Sequence, residues 1–423
     1  MEKREQLIPP QQAVILCGGL GTRLRPLTNN LPKPMVLVNG KPFLHHLIEQ
    51  IVDQGIKRVL LLTGYLGEMI TSYFGSCKAI GVEIIYSCGP QDWDTGRRLW
   101  EARDLIENQF LLLYSDNFVQ FNLPRLQQFH NKQGAPISLL LAPKDNGNIE
   151  VANDGRVINY DKSRIGKNLD YVEVGYMIIE RNFLLSEFPG VNGFPDFDFA
   201  DLLAKLAEKQ KISGLVVKAP YHSISDVNRL DLTSKYLLPK KILLIDRDGT
   251  INTKAPPGDY ITNWDDLELI QDTSKAMISL AKMSFEFIII TNQAGISRKL
   301  ITAEEIENIH KNLIQLLASE GVTILDIYVS PDHWNDNSYT RKPAPGLFFQ
   351  AAKDHNLRLD HCLYIGDDER DCMAAANAGC GMIYLSDNDP ELANFPEPYF
   401  RVKSLLDSTK LIKDMYRKWE DSL

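Results

Sequence analysis

The chain has 423 residues, of which 44% are hydrophobic, 24% charged and 9% aromatic. This length predicts two or three domains, and the composition is typical of folded globular proteins rather than of disordered or disulfide-stapled chains. The net charge of −9 lies in the second half, because residues 1–240 hold 27 Lys+Arg and 26 Asp+Glu whereas residues 241–423 hold 19 and 29. An acidic half argues against nucleic acid as a partner, whereas small phosphorylated substrates remain compatible with it.

The N-terminal residues and the cysteine pattern indicate in which cellular compartment the protein is expected. No apolar run approaches the roughly 18–20 residues that span a bilayer, and residues 1–6 lead into Pro9-Pro10 rather than into an apolar signal core. The cysteines include no C-x-x-C pair; they are Cys17, Cys77, Cys88, Cys362, Cys372 and Cys380. We therefore expect a soluble cytoplasmic protein with reduced thiols and no membrane partner.

Apolar runs alternate with helical patterns through the first half of the chain. The predicted strands are residues 13–16, 59–62, 82–86, 110–114, 137–141, 173–180 and 214–217, and the clearest helices are residues 42–54 and 199–210. Strand–helix alternation predicts a mainly parallel sheet with helices on both faces. Residues 1–238 are therefore predicted to form one large α/β domain.

A second series of strands begins near residue 241. Its predicted strands are residues 241–245, 287–290, 324–329, 362–365 and 381–384. The longest helix is predicted to begin at a capping box of Thr302 with Glu305 and to end at Gly321. Its apolar stripe consists of Ile306, Ile309, Leu313 and Leu316. Residues 239–423 are thus predicted to form a second α/β domain, with the seam near residues 237–239.

The last stretch of the chain has helical spacing. It places Leu411, Met415 and Trp419 on one face, with Ile412 and Tyr416 beside it. We interpret this stripe as the surface that docks the helix on its own domain, and a contact between copies in a homo-oligomer is the alternative.

A glycine-rich segment follows the first predicted strand. Residues 18–28 read GGLGTRLRPLT, and residues 31–35 read LPKPM. Glycines let backbone N–H groups approach a polyphosphate closely, and Arg23 and Lys33 supply positive charge. A dinucleotide-binding fingerprint fails on spacing because Gly19-x-Gly21 leads to Leu24, and the Gly-Lys-Ser/Thr of a P-loop is missing. The alternative is a strand-to-helix turn without a ligand.

This segment resembles the signature of the sugar-phosphate nucleotidyltransferase family, G-G-x-G-T-R-L-x-P-L-T followed by P-K-P. Residues 38–44 (VNGKPFL) and 63–70 (TGYLGEMI) are similar to its branch of heptose 1-phosphate guanylyltransferases. The resemblance implies a Rossmann-like domain that binds a nucleoside triphosphate, expected to be GTP, and a sugar 1-phosphate. The implied reaction is attack of the sugar phosphate oxygen on the α-phosphorus, which releases pyrophosphate.

The resemblance also implies roles for single residues. Arg23 and Lys33 are expected to contact the triphosphate, and Asp116 and Asp226 to hold Mg²⁺, an ion that prefers oxygen ligands. The remaining nucleotide-binding residues are expected to be Leu16, Gly18, Gly19, Gly21 and Thr22, and those at the sugar phosphate Lys162, Glu173 and Gly175.

The chain departs from this family's pattern at two places. Ser115 stands before the metal-binding Asp, where the family usually has Gly. Residues 93–97 (WDTGR) stand where the family has L-G-T-A-G, so Trp93, Asp94 and Arg97 add bulk and charge beside the expected pocket. The second departure leaves the nucleotide base open.

The second half contains four polar clusters at predicted strand ends or before a helix. They are residues 246–252 (DRDGTIN), 291–295 (TNQAG), 341–343 (RKP) and 366–371 (GDDERD). Open α/β sheets place ligands at the carboxyl ends of their strands, and two carboxylates two residues apart can meet one metal and one phosphate. Taken singly, the clusters also fit a turn, a loop, a solvated pair and the N-terminus of a helix.

The order of these clusters resembles the haloacid dehalogenase superfamily of phosphatases with a minimal cap. Within it, residues 246–252, 291–296 and 341–346 are similar to the heptose 1,7-bisphosphate and histidinol-phosphate phosphatase branch. The resemblance implies that Asp246 is the nucleophile and Asp248 the general acid. Further implied roles are phosphate binding by Thr291 and Lys342, Mg²⁺ binding by Asp246, the Asp248 carbonyl and Asp367 with support from Asp371, and substrate contacts by Asn292, Arg298 and Arg341.

One departure concerns a loop of this branch, which usually binds zinc through C-x-H and through C-x-C just before R-K-P. The corresponding stretches read SPDH (residues 330–333) and SYTR (residues 338–341), so every cysteine position is replaced. His333, even with Asp332, falls short of the four ligands of a structural zinc site. We expect no structural zinc, and a loop that is ordered by packing of Trp334 and Tyr339 or that moves with substrate.

The two resemblances fit consecutive steps of one pathway. A phosphatase would remove the C7 phosphate of a heptose 1,7-bisphosphate, and a nucleotidyltransferase would activate the remaining 1-phosphate to a nucleoside-diphosphate heptose, expected to be GDP-D-glycero-α-D-manno-heptose. One alternative is a mannose 1-phosphate guanylyltransferase joined to a phosphatase of other specificity. Another is that one domain is a catalytically silent regulatory module.

Overall fold

The computed structural model describes residues 9–75, 81–188, 196–256, 258–386, 396 and 399–421. Two compact units divide the chain, Met1–Leu237 and Leu238–Leu423. No helix among the described residues has both the length and the apolar character needed to cross a membrane. The five described cysteines are all free thiols, and Cys77 lies outside the described residues.

The first unit is built from alternating strands and helices. Its strands are β1 (Gln12–Cys17), β2 (Leu37–Val38), β3 (Lys41–Pro42), β4 (Arg58–Thr63), β5 (Glu83–Cys88), β6 (Gln109–Tyr114), β7 (Asn117–Val119), β8 (Ile137–Pro143), β9 (Ile149–Val151), β10 (Val157–Tyr160), β11 (Tyr171–Glu180), β12 (Ile212–Val216) and β13 (Tyr221–Ser223). Its α-helices are α1 (Phe43–Asp53), α2 (Gly67–Phe74), α3 (Thr95–Glu101), α4 (Leu123–Gln133), α5 (Arg181–Glu187), α6 (Phe199–Glu208) and α7 (Val227–Leu237).

One large mixed sheet organises this unit. The strands run in the order β10-β9-β11-β6-β1-β4-β5, and β8 pairs with both β11 and β12. The pairs among β6, β1, β4 and β5 are parallel, as predicted, and so is the pair of β8 with β12. Strand β11 differs from the prediction because it pairs antiparallel with β6 and β8. The parallel strands β6, β1 and β4 therefore share one carboxyl edge, at which the glycine-rich segment begins.

Both faces of this sheet are buried, as expected for parallel strands between helices. In β1, Ala13 and Ile15 belong to one apolar cluster, whereas Val14 and Leu16 belong to another on the opposite face. Successive side chains of a strand point to opposite faces, so an uninterrupted apolar run is what a doubly covered strand requires.

The second unit has a simpler sheet. Its strands are β14 (Ile242–Ile245), β15 (Glu286–Asn292), β16 (Ile324–Ser330), β17 (Leu363–Gly366), β18 (Gly381–Leu385) and β19 (Phe400–Val402). Its helices are α8 (Gln271–Ala281), α9 (Ala303–Ser319), α10 (Gly346–His355), α11 (Glu369–Ala378) and α12 (Leu405–Asp421). The described strands pair in parallel in the order β16-β15-β14-β17-β18-β19, which confirms the predicted α/β class.

Helix α9 begins as predicted but presents a slightly different face. The capping box of Thr302 and Glu305 is present, and the helix ends at Ser319, shortly before Gly321. Ile306, Ile309 and Leu313 are buried as predicted. Leu316 is 38% exposed, however, and Leu317 is buried instead, because the core contacts of the last turn select position 317.

Helix α12 docks on its own unit, through side chains that the prediction placed at the edge of the stripe. Ile412 and Tyr416 are 0% and 1% exposed and pack into the core that contains α8. Leu411, Met415 and Trp419 are only partly buried. The 3.6-residue period located the helix correctly, and the packing rotated its buried face toward positions 412 and 416.

Candidate active sites

A cavity of about 710 Å³ lies at the carboxyl edge of the parallel strands of the first unit. Its lining includes all the residues that the sequence predicted for nucleotide binding together with the predicted metal ligand Asp116: Leu16, Gly18, Gly19, Gly21, Thr22, Arg23, Lys33 and Asp116. Gly21, in the left-handed region at φ +60°, precedes the short 3₁₀ helix that carries Arg23. The predicted cradle therefore forms one continuous wall of this cavity.

Lys33 and Asp116 meet in this cavity. Lys33 lies in a short 3₁₀ helix, Asp116 follows β6, and their Nζ and Oδ2 atoms are 2.5 Å apart. Ser115 fits the place of the usual glycine because its hydroxyl donates a hydrogen bond to the backbone oxygen of Leu16 at 2.6 Å. This bond ties the end of β6 to the end of β1, so the departure at position 115 reinforces the site.

Arg98 lines this cavity and was not predicted from the sequence; the same holds for Tyr160 and Asp198. The Arg98 guanidinium is buried on α3 and donates hydrogen bonds to the backbone oxygens of Thr63 and Pro90, both at 2.7 Å. A Cβ atom added to Gly18 would lie 2.3 Å from the Cζ atom of Arg98, so a side chain at position 18 would displace it. Because Pro90 precedes the lining residues Gln91–Asp94, Arg98 holds that side of the cavity to β4.

The segment that departs from the family pattern forms part of the same lining. Trp93 and Asp94 line the cavity, and the Asp94 carboxylate caps α3 by accepting a hydrogen bond from the backbone N–H of Thr95 at 2.8 Å. The Arg97 guanidinium lies 5.2 Å from the Trp93 ring centroid and pairs with Glu101. The added charges of this segment are thus engaged in local contacts around α3.

Glu173 lies on β11 beside Tyr160, which lines the cavity. The Tyr160 hydroxyl donates to Oε2 of Glu173 at 2.6 Å, while Oε1 is inaccessible to solvent and has no hydrogen-bond partner among the described residues. Burial, together with the negative charges of Asp116 and Asp198, raises the pKa of this carboxyl to about 7. Gly175, at φ +80°, occupies the irregular stretch of β11, where a Cβ atom would lie 2.9 Å from that of Tyr114. A ligand hydroxyl near Oε1 would satisfy this buried acceptor.

Lys162 and Asp226 are not among the residues that line the cavity, whereas the predicted nucleotide-binding residues are. The Lys162 ammonium forms ion pairs with Asp198 and Asp201, both at 2.6 Å, and Asp198 lines the cavity. The Asp226 carboxylate accepts a hydrogen bond from the backbone N–H of Arg229 at 2.9 Å, at the start of α7. The backbone N–H of Ile224 donates to the backbone oxygen of Asp116 at 3.0 Å, so the segment before Asp226 lies against the end of β6.

The second unit has a cavity of about 550 Å³ at the carboxyl edge of its sheet. Asp246 follows β14, Thr291 and Asn292 end β15, and these strands are neighbours in the sheet. The predicted residues in the lining are Asp246, Asp248, Thr291, Asn292, Arg298, Arg341, Lys342 and Asp371. The convergence follows from the parallel order, since the ends of β15, β14 and β17 lie side by side.

Lys342 is the cation at the centre of this site. Its Nζ atom lies 2.8 Å from a carboxylate oxygen of Asp246 and 2.8 Å from one of Asp371, and the side chain is 4% exposed. Burial acts to lower the pKa of Lys342, but the two carboxylates outweigh it and raise that pKa. Burial raises the pKa of Asp246, against the opposing effect of Lys342. The ammonium therefore stays charged and holds the predicted nucleophile.

Three carboxylates of this site are close enough to share a metal ion. Oxygen atoms of Asp246, Asp367 and Asp371 all lie within 4.8 Å of one another. The Lys254 ammonium, which the sequence analysis did not single out, lies 2.5 Å from Asp367. An all-oxygen set of carboxylates of this kind fits Mg²⁺. The predicted ligand Asp367 and the supporting residue Asp371 are thus both next to Asp246.

Asp248 is held by a buried network. Arg247, 0% exposed, donates to both carboxylate oxygens of Asp248 at 3.1 and 2.9 Å, and a third guanidinium nitrogen lies 2.9 Å from Nε2 of His310. Burial acts to raise the pKa of Asp248, but the charge and hydrogen bonds of Arg247, with hydrogen bonds from Asn252 and Gln293, outweigh it and lower that pKa. Burial and Arg247 lower the pKa of His310 to about 3, so the imidazole is neutral and accepts from Arg247. Arg247 and His310 were not predicted as site residues, because nothing local in the sequence marks them as partners.

Asn292 has a structural contact that the sequence did not indicate. Its amide oxygen accepts from the backbone N–H of Lys342 at 3.0 Å, and its amide nitrogen donates to the Lys342 oxygen at 3.1 Å. The side chain thereby joins the end of β15 to the segment that carries the central lysine.

The loop after β16 is held differently from the expectation. Trp334 and Tyr339 are 54% and 42% exposed, so burial of these two rings does not order it. Instead, the hydroxyls of Ser338 and Thr340 donate to the Asp332 carboxylate at 2.5 and 2.8 Å. The loop is thus held by polar contacts together with contacts of the Trp334 ring to His333 and Arg298.

Comparisons with known proteins agree with two domains. The profile of the family described as Nucleotidyl transferase matches residues 12–160, and that described as Polynucleotide kinase 3 phosphatase matches residues 241–381. Two similar proteins are named D-glycero-alpha-D-manno-heptose 1-phosphate guanylyltransferase. That of Campylobacter jejuni is 31% identical, over 40% of this chain and 76% of that protein, and that of Aneurinibacillus thermoaerophilus is 36% identical, over 39% and 68%.

Another similar protein is matched over a smaller share of its length, and two further similarities are to solved structures. The bifunctional protein GlmU of Methanococcus maripaludis is 30% identical over half of this chain, which spans 51% of that protein. Among solved structures, HddC from Yersinia pseudotuberculosis has 22% identity and a TM-score of 0.47, covering 54% of this chain and 100% of that one. A D,D-heptose 1.7-bisphosphate phosphatase from B. bronchiseptica, complexed with magnesium and phosphate, has 24% identity and a TM-score of 0.38, covering 41% and 98%.

The similarity to the two guanylyltransferases exceeds 30% identity and spans more than two thirds of each of those proteins. The chain therefore belongs to the sugar-phosphate nucleotidyltransferase family, and its residues 241–381 match the family described as Polynucleotide kinase 3 phosphatase.

Proposed function

We propose that the chain is a bifunctional enzyme of nucleoside-diphosphate-heptose synthesis. Residues 239–423 would dephosphorylate heptose 1,7-bisphosphate at C7, and residues 1–238 would transfer a nucleotidyl group, GMP from GTP, to the resulting heptose 1-phosphate. The observation that carries the proposal is the pairing of a lysine with a strand-end aspartate in both cavities, Lys33 with Asp116 and Lys342 with Asp246. The names of the two guanylyltransferases support the sugar and the base.

In the phosphatase reaction, Asp246 is the nucleophile. A carboxylate oxygen of Asp246 attacks the phosphorus, and the bond between the phosphorus and the C7 oxygen breaks. Because Arg247 keeps Asp248 ionised in the free site, Asp248 is proposed to take up a proton from water when the substrate binds and to give that proton to the leaving oxygen. Asp248 then removes a proton from water, which attacks the aspartyl-phosphate and releases inorganic phosphate. Thr291 and Lys342 line the same cavity and are proposed to hold the phosphate oxygens. Arg298 and Arg341 are proposed to contact the rest of the substrate.

The negative charge of this site calls for a metal ion. We propose that Asp246, Asp367 and the backbone oxygen of Asp248 hold Mg²⁺, with Asp371 in support, because the side-chain oxygens of Asp246, Asp367 and Asp371 already lie within 4.8 Å of one another. When bound, Mg²⁺ neutralises the repulsion between a carboxylate nucleophile and an anionic phosphate ester. Lys342 and Lys254 supply part of this neutralisation from the chain itself.

In the transferase reaction, an oxygen of the sugar 1-phosphate attacks the α-phosphorus of the triphosphate. The bond from the α-phosphorus to the bridging oxygen breaks, and its electron pair leaves with pyrophosphate. Arg23, Lys33 and the backbone N–H groups of residues 18–22 are proposed to bind the triphosphate. Asp116, with Asp226, is proposed to hold Mg²⁺, and Glu173 to accept a hydrogen bond from a sugar hydroxyl at its unpartnered Oε1. Positioning and charge neutralisation are sufficient for this chemistry.

The order of the two reactions follows from their chemistry. Removal of the distal phosphate leaves the 1-phosphate that the nucleotidyltransferase consumes, so one chain would carry consecutive steps in fixed ratio. Because the second step consumes a nucleoside triphosphate, we propose that the enzyme works in the cytoplasm.

A direct test is to incubate the protein and Mg²⁺ with heptose 1,7-bisphosphate and each nucleoside triphosphate in turn. We expect inorganic phosphate with every triphosphate, and pyrophosphate with GDP-heptose when GTP is present. Mannose 1-phosphate with GTP serves as the comparison. Pyrophosphate from mannose 1-phosphate but not from the heptose would favour a mannose 1-phosphate guanylyltransferase, and phosphate alone would make the first domain a silent module.

Single substitutions should separate the two reactions. Asp246→Asn removes the nucleophile, so phosphate release should fall at least about 10³-fold while pyrophosphate release from heptose 1-phosphate stays unchanged. Asp116→Ala should have the opposite effect because it removes the strand-end carboxylate paired with Lys33. Asp104→Ala, at a side chain that is 79% exposed, is the control. Near wild-type activity of either variant in its assigned reaction would contradict that site.

Glu173 should make the stability of the first unit depend on pH. Its pKa is raised from 4.5 to about 7, so between these values the folded state binds the proton more tightly than the unfolded state does. The free energy of unfolding should therefore fall by about 3 kcal/mol as pH rises from 4.5 to 7, and this fall should vanish in Glu173→Gln. Urea unfolding followed by hydrogen exchange of peptides from the first unit measures it. Glu68→Gln, on the exposed side of α2, should behave as wild type, and parallel pH curves for wild type and Glu173→Gln would refute the prediction.

A further inference from the structure

The loop between β16 and α10 contains a cluster of four polar side chains. The carboxylate of Asp332 accepts hydrogen bonds from the hydroxyls of Ser338 at 2.5 Å, Thr340 at 2.8 Å and Ser330 at 3.4 Å. The Ser338 and Thr340 hydroxyls also lie 2.8 Å apart. One carboxylate oxygen, Oδ2, thus joins the end of β16 to the returning part of the loop.

These contacts fix the loop from both sides. Hydrogen bonds to an ionised acceptor are stronger than those between neutral groups, and the Ser338 and Thr340 hydroxyls lower the pKa of Asp332, so the acceptor is a carboxylate at neutral pH. Ser330 is fully buried, which anchors the cluster to the sheet. In addition, the backbone N–H of Thr340 donates to the Ser338 hydroxyl at 3.1 Å.

The cluster is connected to the wall of the second cavity. A guanidinium nitrogen of Arg341 donates to the backbone oxygen of Asp332 at 3.1 Å, and Arg341 itself lines the cavity. Trp334, two residues after Asp332, lines it as well, and its ring centroid is 5.6 Å from the Cζ atom of Arg298. The Tyr260 ring lies at the same distance from Arg298. The position of the loop therefore affects where the guanidinium groups of Arg341 and Arg298 lie.

The cationic side chains of the cavity fall into two groups with different contacts. Lys342 forms an ion pair with Asp246 and belongs to the reacting centre. Arg341 instead donates to the backbone of the loop, and Arg298 lies between Trp334 of the loop and Tyr260, with a hydrogen bond to the backbone oxygen of Gly258 at 3.1 Å. A second anionic group on the substrate would be the natural ligand of two guanidinium groups. A small phosphate ester without that group would use the reacting centre alone.

We propose that Asp332 is a positioning residue of the second site: with Ser330, Ser338 and Thr340 it fixes the loop without a metal, and it thereby places Arg341 and Arg298 to recognise the second phosphate of a sugar bisphosphate. This inference rests on the proposed phosphatase function and deepens it. Asp332 acts through the loop and does not touch the reacting atoms.

The first test compares two substrates. Asp332→Asn should lower kcat/KM for heptose 1,7-bisphosphate about tenfold or more, mainly through KM, because the remote contacts are lost. The same variant should change kcat/KM for p-nitrophenyl phosphate less than about twofold, because the reacting centre is intact. Asp414→Asn, at an exposed side chain of α12, is the matched control. An equal loss with both substrates, or no loss with either, would overturn the proposal.

The second test replaces the cluster by a metal site at the same positions. Ser330→Cys, Asp332→His, Ser338→Cys and Thr340→Cys together supply four zinc ligands, which a structural site requires. We expect this variant to bind one zinc ion per chain, to recover the bisphosphate kcat/KM to within about threefold of wild type, and to lose it on chelation. Failure to bind zinc would show that the four positions do not converge, and zinc binding without recovery would show that the fixed loop is not what substrate recognition needs.

A third measurement separates this inference from the proposed function. Hydrogen exchange of peptides that span residues 331–340 should be at least about fivefold faster in Asp332→Asn than in wild type or Asp414→Asn. If wild type hydrolyses no phosphate ester, the phosphatase function fails, and faster exchange confined to this loop would still support the anchor. Unchanged exchange in Asp332→Asn would overturn the anchor whatever the activity.

Discussion

The charge balance around Lys342 is the interaction on which the second site depends. Asp246, Asp367 and Asp371 place carboxylate oxygens within 4.8 Å of one another, and Asp246 and Asp371 share the lysine. Two unit charges at that separation repel by about 3 kcal/mol at an effective dielectric constant of about 20, which is a large fraction of a domain's stability. The buried ammonium offsets this repulsion. The same principle recurs in the first unit, where Lys33 pairs with Asp116.

Strand order explains why these charges meet at all. Residues that are far apart in the chain come together because β15, β14 and β17 are adjacent and parallel, so their carboxyl ends share one edge. In the first unit, β6, β1 and β4 do the same for the glycine-rich cradle and Asp116. The apolar runs that build the strands therefore also determine which polar residues become neighbours. At the second cavity, the proposed role of the Asp332 loop is to position contacts for the remote part of a substrate, and hydroxyls and a carboxylate stand at its four positions where the expected pattern has zinc ligands.

The sequence predicted what depends on local pattern. Uninterrupted apolar runs indicated the strands, the capping box indicated the start of α9, and the clusters at strand ends indicated both cavities. Contacts between distant segments were not predictable in this way. The antiparallel direction of β11, the burial of Leu317 in place of Leu316, and the bonds of Arg98 to Thr63 and Pro90 all depend on partners elsewhere in the fold. Arg247 and His310 are 63 residues apart, and only the folded chain brings the imidazole within hydrogen-bond distance of the guanidinium that holds Asp248.

In the proposed phosphatase reaction, Asp246, held by Lys342, carries the phosphoryl group. The most direct measurement is to quench turnover of heptose 1,7-bisphosphate in the steady state, reduce the protein with borohydride and map the product by mass spectrometry. An aspartyl-phosphate is reduced to homoserine, so we expect homoserine at position 246 in the wild type and none in Asp246→Asn. Homoserine at another aspartate, or rapid phosphate release with residue 246 unmodified, would contradict the claim.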